Sequence, residues 1–248
     1  MIAVLGDRFE ILAAAQAAMI SRIPIAHFHG GEATEGLIDE PIRHSITKMS
    51  HLHFTATEEY KYRVIQLGEQ PDRVFNVGAL GIENINRLDL YSKAQFEESI
   101  DFKLNTRNIL ITFHPVTLEH ATARDQFQAL LNALDKLVVC TLIFTNPNAD
   151  TDGRIIIEMI DKYVSDNSHK AVGFTSLGQV RYLSALQYMD GVVGNSSSGL
   201  IEVPSFRIAT IDIGDRQKGR IKAESVISCE PSEASISTAL EKMFSPTF

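Results

Sequence analysis

The stretch Gly194-Asn195-Ser196-Ser197-Ser198-Gly199-Leu200-Ile201-Glu202 predicts both a fold class and a ligand site. It follows an apolar run at residues 189–193, which is typical of a buried strand, and it opens a helix that we expect to continue to about Phe206. The first N–H groups of a helix have no intrahelical partner, and they lie at the positive end of the helix dipole. A strand that leads through small hydroxylated residues into a helix is therefore typical of a phosphate site.

Glu202 lies about one turn beyond the serines, where a carboxylate can accept hydrogen bonds from two neighbouring sugar hydroxyls. A phosphate site followed by an acidic residue indicates a nucleotide. However, a serine-rich N-cap on an ordinary helix explains the same residues equally well. The stretch therefore needs support from the rest of the chain.

Strands and helices alternate from one end of the sequence to the other. The predicted strands are residues 1–5, 25–28, 53–57, 74–77, 109–113, 138–144, 170–174, 189–193, 208–213 and 225–229. The predicted helices are residues 9–19, 39–49, 58–67, 92–99, 124–137, 155–164, 179–189 and 232–244. Because the core strands are continuously apolar, we expect parallel sheets that are covered on both faces. The prediction is an α/β protein of two doubly wound Rossmann-like domains, at residues 1–100 and 101–248.

Composition excludes several classes of protein. The 248 residues are 44% hydrophobic and carry a net charge of −8, so we expect a substantial core and no nucleic-acid partner. No apolar run reaches about 18 residues, so no membrane span or membrane partner is predicted. Cys140 and Cys229 lie in apolar, strand-like runs, which is typical of free thiols in a reducing compartment. We therefore expect a cytoplasmic protein without a signal peptide.

Polar clusters follow the predicted strands at the point where each strand ends. In open α/β sheets, ligands bind beyond these carboxyl ends. The clusters are Asp7-Arg8, His29 to Glu32, His114, Asn146, Asn195 to Ser197 and Asp215-Arg216. Positive charge for a diphosphate is available from Arg8, His114 and Arg216. Carboxylates for proton transfer are available from Asp7, Glu32 and Asp39.

Each cluster also has a purely structural interpretation. Asp7 and Asp39 occupy positions typical of helix caps, and Gly30-Gly31 is typical of a tight turn. His114 can equally be a solvated loop residue. Arg43, His44 and Lys48 can equally form a charged helix face. Five histidines crowd the first domain, but the ligand spacing typical of a metal site is missing, so we expect no metal. These histidines are His27, His29, His44, His51 and His53.

Six blocks, taken together and in order, carry a family resemblance. They are Gly6-Asp7-Arg8-Phe9-Glu10; His27-Phe28-His29-Gly30-Gly31-Glu32; Ile38-Asp39-Glu40 with Arg43-His44-Ser45-Ile46-Thr47-Lys48; His114-Pro115-Val116-Thr117; Gly194-Asn195-Ser196-Ser197 with Glu202; and Gly214-Asp215-Arg216-Gln217 through Arg220. Across essentially its whole length the chain resembles the hydrolysing UDP-N-acetylglucosamine 2-epimerases of the sialic and legionaminic acid pathways.

The resemblance implies a glycosyltransferase-B fold, a UDP-sugar in the cleft between two domains, a homodimer, and neither a cofactor nor a metal. In the implied reaction a base removes the proton on sugar C2 while UDP leaves from C1. Water then adds to the resulting glycal, which gives N-acetylmannosamine or a diacetamido analogue. Two other functions fit the same fold: a UDP-sugar glycosyltransferase, and a UDP-binding remnant without activity.

The resemblance also implies roles for individual residues. The implied catalytic group comprises Asp7, Asp39, His114 and either His29 or Glu32. The implied substrate and UDP-binding group comprises Arg8, Asn146, Ser196, Ser197, Glu202 and Arg216.

The sequence departs from the family pattern in two places. Many members carry glutamate where this chain has His29, so the acid–base role falls either to His29 or to Glu32. The family's first strand and its glycine/arginine loop, which contacts the nucleotide, precede the position of Asp7, and this sequence lacks them. The first domain is accordingly predicted with fewer strands than a complete domain of this type, and we expect the natural protein to be longer upstream.

Overall fold

The described residues, 1–35, 38–116, 123–147, 153–245 and 248, divide into two units in the computed structural model. The first unit comprises Met1–Asn84 and the short segment Lys218–Arg220. The second comprises Ile85–Gln217 and Ile221–Phe248. Thr117 of the fourth motif block lies outside the described residues.

The first unit contains a sheet of four parallel strands in the order β1-β2-β3-β4. The strands are β1 (Ile2–Leu5), β2 (Ile25–Phe28), β3 (Leu52–Thr55) and β4 (Val74–Asn76). The helices are α1 (Phe9–Ile20), α2 (Asp39–Met49) and α3 (Glu58–Gln66), and α4 (Leu80–Arg87) runs across the boundary with the second unit. Val4, Ile25 and Ile46 are buried between the sheet and the first two helices.

The second unit contains six parallel strands in the order β10-β9-β8-β5-β6-β7. The strands are β5 (Asn108–Thr112), β6 (Thr141–Thr145), β7 (Ala171–Phe174), β8 (Gly191–Gly194), β9 (Ala209–Ile213) and β10 (Val226–Cys229). The helices are α5 (Lys93–Ile100), α6 (Ala123–Asp135), α7 (Gly153–Asp166), α8 (Gly178–Leu186), α9 (Ser198–Ile201) and α10 (Glu233–Met243). Ile109 and Ile111 belong to one hydrophobic cluster and Leu110 to another, so both faces of β5 are covered.

The strand order of the second unit reverses between β5 and β8. The chain runs outward from β5 through β6 to β7 and then returns to the other side of β5 at β8. Such a switch point leaves a crevice at the carboxyl ends of the two strands, and ligands of open α/β sheets bind there.

The boundary between the units lies at Asn84 and Ile85, whereas the sequence analysis places it at residue 100. The reason is the packing of α5. Its residues Phe96 and Ile100 are buried in the same hydrophobic cluster as Leu110, on the second unit's sheet.

Two elements have bounds that differ from the sequence prediction. β6 begins at Thr141 and not at residue 138, because Val138 and Val139 are exposed. The helix after Gly194 is broken into α9 and a 3-10 turn at Val203–Phe206, since Pro204 has no N–H to donate. Among the described residues, no helix is both long enough and apolar enough to cross a membrane.

His27 of β2 has no exposed surface, and its ring connects three elements of the first unit. Its Nε2 lies 2.9 Å from the carbonyl of Gly6, which follows β1, and its Nδ1 lies 3.2 Å from Thr47 Oγ1 on α2. The carbonyl can only accept, so Nε2 carries the proton. Burial lowers the pKa of His27 to about 4.

We predict that replacing Phe96 by alanine lowers the free energy of unfolding of the second unit by about 3–5 kcal/mol, because a fully buried aromatic ring leaves a cavity. Urea titration followed by circular dichroism measures this. Phe75→Ala is the matched control, since Phe75 is 42% exposed. Equal, small effects of the two substitutions would contradict the assignment of α5 to the second unit.

We also predict that His27 makes stability depend on pH. The unfolded chain protonates this ring below its ordinary pKa of 6.5, whereas the folded chain does so only near 4, so stability is full above pH 6.5 and falls as pH drops towards 4. The loss is about 3 kcal/mol. Urea titrations at pH 7 and pH 4 should show a smaller decrease for His27→Gln than for the unchanged protein. Parallel decreases would refute the prediction.

Candidate active site

A buried guanidinium organises the carboxyl ends of β1 and β2. Arg43 of α2 is 1% exposed and forms an ion pair with Asp7, which follows β1. It also donates to the carbonyl of Glu32 at 2.7 Å and to Thr34 Oγ1 at 3.2 Å, both beyond β2. Burial, aided by the charge of Arg220, lowers the pKa of Arg43 to about 9, so it remains a cation at neutral pH.

Two structural interpretations of the sequence, the charged helix face at Arg43 and the helix cap at Asp7, do not hold. The charged helix face proposed for Arg43 is wrong, because its side chain points into the unit. Asp7 does not cap α1: the N-cap position belongs to Arg8, which has no side-chain capping bond. The signal for a buried Arg43 was present in the sequence, since Ile46 and Thr47 follow it at helical spacing on the same buried face.

His29, Glu32 and Arg220 form a second cluster in the first unit. His29 Nδ1 lies 2.7 Å from Glu32 Oε1, and Glu32 Oε2 accepts a hydrogen bond from Arg220 Nη1. The Glu32 side chain is only 4% exposed, whereas that of His29 is 17% exposed. Of the two candidates for the acid–base role, His29 therefore presents the more accessible group.

The protonation pattern of this cluster follows from its hydrogen bonds. Burial alone would raise the pKa of Glu32, but the hydrogen bond from His29 and the positive charge of Arg220 outweigh it and hold that pKa below its ordinary value. Glu32 is therefore a carboxylate, and the His29 Nδ1–H donates to it. The backbone N–H of Leu80 lies 3.4 Å from His29 Nε2, which is an acceptor in this tautomer.

The backbone beneath this cluster is unusual at two positions. His29 has a φ of 63°, in the left-handed region that non-glycine residues rarely adopt. Gly31 has a φ of 80°, and a Cβ there would lie 2.3 Å from the carbonyl oxygen of Tyr60. The Gly30-Gly31 pair thus serves as the tight turn that its sequence suggests, and that turn brings Glu32 back to His29.

Asp39 and Arg8, the other predicted residues of this unit, lie at helix starts. Asp39 is the first residue of α2, in the same first turn as Glu40, whose carboxylate accepts from the Thr34 N–H at 2.5 Å. Arg8 is partly exposed and lies 3.7 Å from Glu10. Lys48, by contrast, lies on the exposed side of α2 and pairs with Glu69 at 2.5 Å.

The second unit places His114 and Asn195 on either side of its switch point. The Asn195 side chain accepts from the His114 N–H at 2.7 Å and donates to the His114 carbonyl at 2.8 Å. This pair of bonds joins the carboxyl ends of β5 and β8. Gly194 allows the close approach, since a Cβ there would lie 1.9 Å from the Thr112 carbonyl.

A groove of about 470 Å³ opens beside this junction. Its lining is drawn mainly from the segments that follow β5, β6, β7 and β8. Among the predicted site residues it includes His114, Asn146, Ser196 and Glu202. Tyr182 of α8, which the sequence analysis did not select, also lines it and hydrogen-bonds Ser198.

Ser197 and Arg216 lie next to the groove but are not among the described residues that line it. Ser197 is the N-cap of α9 and makes no side-chain capping bond. Arg216 is buried behind Asn195 and donates to its carbonyl at 3.2 Å, and Gln217 donates to the same oxygen at 2.8 Å. Arg216 thus holds the loop that carries Ser196.

No group of three or more histidine, cysteine, aspartate or glutamate residues is arranged to hold a metal ion within the described ranges. What the first unit does assemble is a set of acid–base groups next to buried cations. The second unit assembles hydroxyl, amide and carboxylate groups around a groove. The former arrangement suits proton transfer, and the latter suits a polar ligand with several hydroxyl groups.

Comparison with known proteins gives consistent results. The family model for UDP-N-acetylglucosamine 2-epimerase matches residues 1–247. The chain is 44% identical over all of its 248 residues to a GDP/UDP-N,N'-diacetylbacillosamine 2-epimerase (hydrolyzing) of Campylobacter jejuni, covering 64% of that protein. It is 48% identical over 90% of its length to the polysialic acid biosynthesis protein P7 of Escherichia coli, covering 57% of that protein.

A solved structure shows the same fold. The UDP-GlcNAc 2-epimerase of Neisseria meningitidis, bound to UDP-GlcNAc, superposes with a TM-score of 0.80 over 97% of this chain and 67% of the other, at 19% identity. The α/β fold with parallel sheets predicted from the sequence, of glycosyltransferase-B type, is thereby confirmed. The chain spans about 57–64% of the length of the two curated relatives described above. With the family model matching nearly every residue, the chain belongs to the UDP-N-acetylglucosamine 2-epimerase family.

Proposed function

We propose that this chain provides catalytic and nucleotide-binding groups of a hydrolysing UDP-N-acetylglucosamine 2-epimerase. The whole protein would eliminate UDP from its substrate and hydrate the glycal, giving N-acetylmannosamine or a diacetamido analogue and UDP. The observation that carries the proposal is the acid–base cluster of the first unit, where Asp7 and His29 are each partly exposed, Asp7 beside the buried Arg43 and His29 beside the buried Glu32.

The stereochemistry of the reaction requires two acid–base groups. A base takes the proton from C2, and a second group returns a proton to the opposite face of the same carbon, which inverts it. Asp7 and His29 are the candidates for these two roles. Asp7 forms an ion pair with Arg43, and His29 presents Nε2 as an acceptor. Asp39 and His114 remain part of the proposal, as further groups near the sugar and the leaving diphosphate.

The groove of the second unit suits the UDP part of the substrate. Ser196 would donate to the diphosphate, and Glu202 would accept from the two ribose hydroxyls. Asn146 lines the same groove from the end of β6. The related Neisseria structure was solved with UDP-GlcNAc bound, which supports a UDP-sugar as the ligand.

The cellular setting is also part of the proposal. Cys140 and Cys229 are both free thiols, which suits a cytoplasmic protein that acts on nucleotide sugars. The family resemblance further implies that the protein is a homodimer. The relatives named for diacetylbacillosamine and for polysialic acid biosynthesis support a substrate of the pathways that make sialic or legionaminic acid.

The groove of the second unit, which is lined by Ser196 and Glu202, favours a second candidate function: binding of UDP without turnover of a UDP-sugar. Binding and turnover therefore have to be measured separately.

For turnover, we predict that the protein incubated in deuterium oxide with UDP-GlcNAc or its 2,4-diacetamido analogue releases UDP and a 2-epimer that carries deuterium at C2. Asp7→Asn should lower kcat by about 100-fold or more, because the amide cannot accept the proton. Asp72→Asn, at an exposed position, is the control. Rapid UDP release only in the presence of an acceptor sugar would instead indicate a glycosyltransferase.

For binding, we predict that Glu202→Gln weakens UDP binding about 10-fold or more, because it removes charge-assisted hydrogen bonds to the ribose. Isothermal titration calorimetry with UDP measures this without any turnover. Ser205→Ala, an exposed serine beyond α9, is the control. If Glu202→Gln binds UDP as tightly as the unchanged protein, the ribose does not bind at Glu202 in this groove.

A further inference from the structure

We infer that Glu32 and Arg220 are positioning residues for His29, and that the three form a relay in which His29 alone contacts the substrate. The inference rests on the proposed function for its catalytic consequence, but its structural part stands separately. It resolves which of two residues, His29 or Glu32, replaces the glutamate that many members of the resembled family carry.

The solvent exposure of the three side chains indicates which of them contacts the substrate. The exposed fractions are 17% for His29, 10% for Arg220 and 4% for Glu32. A carboxylate this deeply buried, with one oxygen facing an imidazole and the other a guanidinium, has no free edge for a sugar carbon. Glu32 is thus placed to orient and polarise His29 and not to take a proton from the substrate.

Glu32 is fixed from both of its ends. Arg43 donates to its backbone carbonyl at 2.7 Å, and Arg220 donates to its carboxylate. The hydrogen bond from His29 and the charge of Arg220 hold the pKa of the Glu32 carboxyl below its ordinary value, while the bond from Arg43 fixes the Glu32 backbone. The ionised carboxylate accepts the Nδ1–H of His29 and so selects the tautomer in which Nε2 is unprotonated. In this tautomer Nε2 faces the backbone N–H of Leu80 at 3.4 Å, a long contact that a substrate proton would replace.

Arg220 reaches Glu32 because of an unusual chain path. Lys218–Arg220 belongs to the first unit although the residues on both sides of it in sequence belong to the second. The segment is seated closely: the Glu35 N–H donates to the Lys218 carbonyl at 3.1 Å, and Gly219, with a φ of 86°, lies against Ala33. A side chain at residue 219 would meet Ala33 and Glu35 at 3.1–3.3 Å. The glycine thus lets Arg220 approach the loop after β2.

The first test is spectroscopic and needs no turnover. Long-range ¹H–¹⁵N correlation spectra of the protein, with the His29 signals identified by their loss in His29→Gln, should show the proton of His29 on Nδ1. In Glu32→Ala the proton should shift largely to Nε2, because the acceptor for Nδ1–H is gone. A proton already on Nε2 in the unchanged protein, or a tautomer that Glu32→Ala leaves unchanged, would overturn the relay.

The second test measures kinetics with UDP-GlcNAc or the diacetamido analogue. Arg220→Met should lower kcat about 10-fold or more while KM changes less than about twofold, since an orienting group acts on the chemical step. Arg220→Lys should recover part of the loss because it restores the charge. Lys218→Met is the matched control in the same segment, where Lys218 makes only a 3.7 Å ion pair with the exposed Glu35.

The two tests separate the relay from the proposed function. If Glu32→Ala shifts the His29 proton to Nε2 but the protein releases no UDP, the result would support the relay and count against turnover by this chain. A raised KM in Arg220→Met, with kcat and the His29 tautomer unchanged, would make Arg220 a substrate-binding residue and overturn the inference.

Discussion

The first unit depends on one buried cation. Arg43 is almost fully buried, and burying an unpaired guanidinium would cost several kcal/mol. The cost is offset because its donors find Asp7 beyond β1 and the Glu32 carbonyl and Thr34 beyond β2. The ion pair and hydrogen bonds that compensate for burial therefore also fix the loops that carry the acid–base groups. Stability and site geometry have the same physical origin here.

The architecture was predictable because periodicity and strand-end chemistry are local properties of the sequence. Continuous apolar runs predicted the core strands, and nearly every element starts and ends within a few residues of its predicted bounds. Two of the exceptions had tertiary causes. The sequence of residues 92–100 does not by itself show that Phe96 packs on the sheet of the second unit. Val138 and Val139 are apolar, and their residue type does not show that both are exposed.

The site was only partly predictable, since a sequence shows which groups are present but not which ones pair. Asp7, His29 and Glu32 were selected because they follow strands, and the structure gives each a specific partner. Arg220 stood in a quoted motif without a role, since its partner lies 188 residues away. Arg216 is predicted to contact a diphosphate, which stays a prediction, and the structure adds that Arg216 donates to the carbonyl of Asn195 and so supports the loop after β8.

The exchange of glutamate for histidine at residue 29 changes what its neighbours must do. A glutamate there would carry its own negative charge and would need no help to accept a proton. A neutral imidazole accepts a proton only at the nitrogen that its surroundings leave bare, so a hydrogen-bond acceptor must hold the other one. Glu32 supplies that acceptor, and a buried Glu32 in turn requires a cation, which Arg220 provides. Under the proposed function, His29 therefore depends on Glu32 and Arg220 for the proton transfer assigned to it.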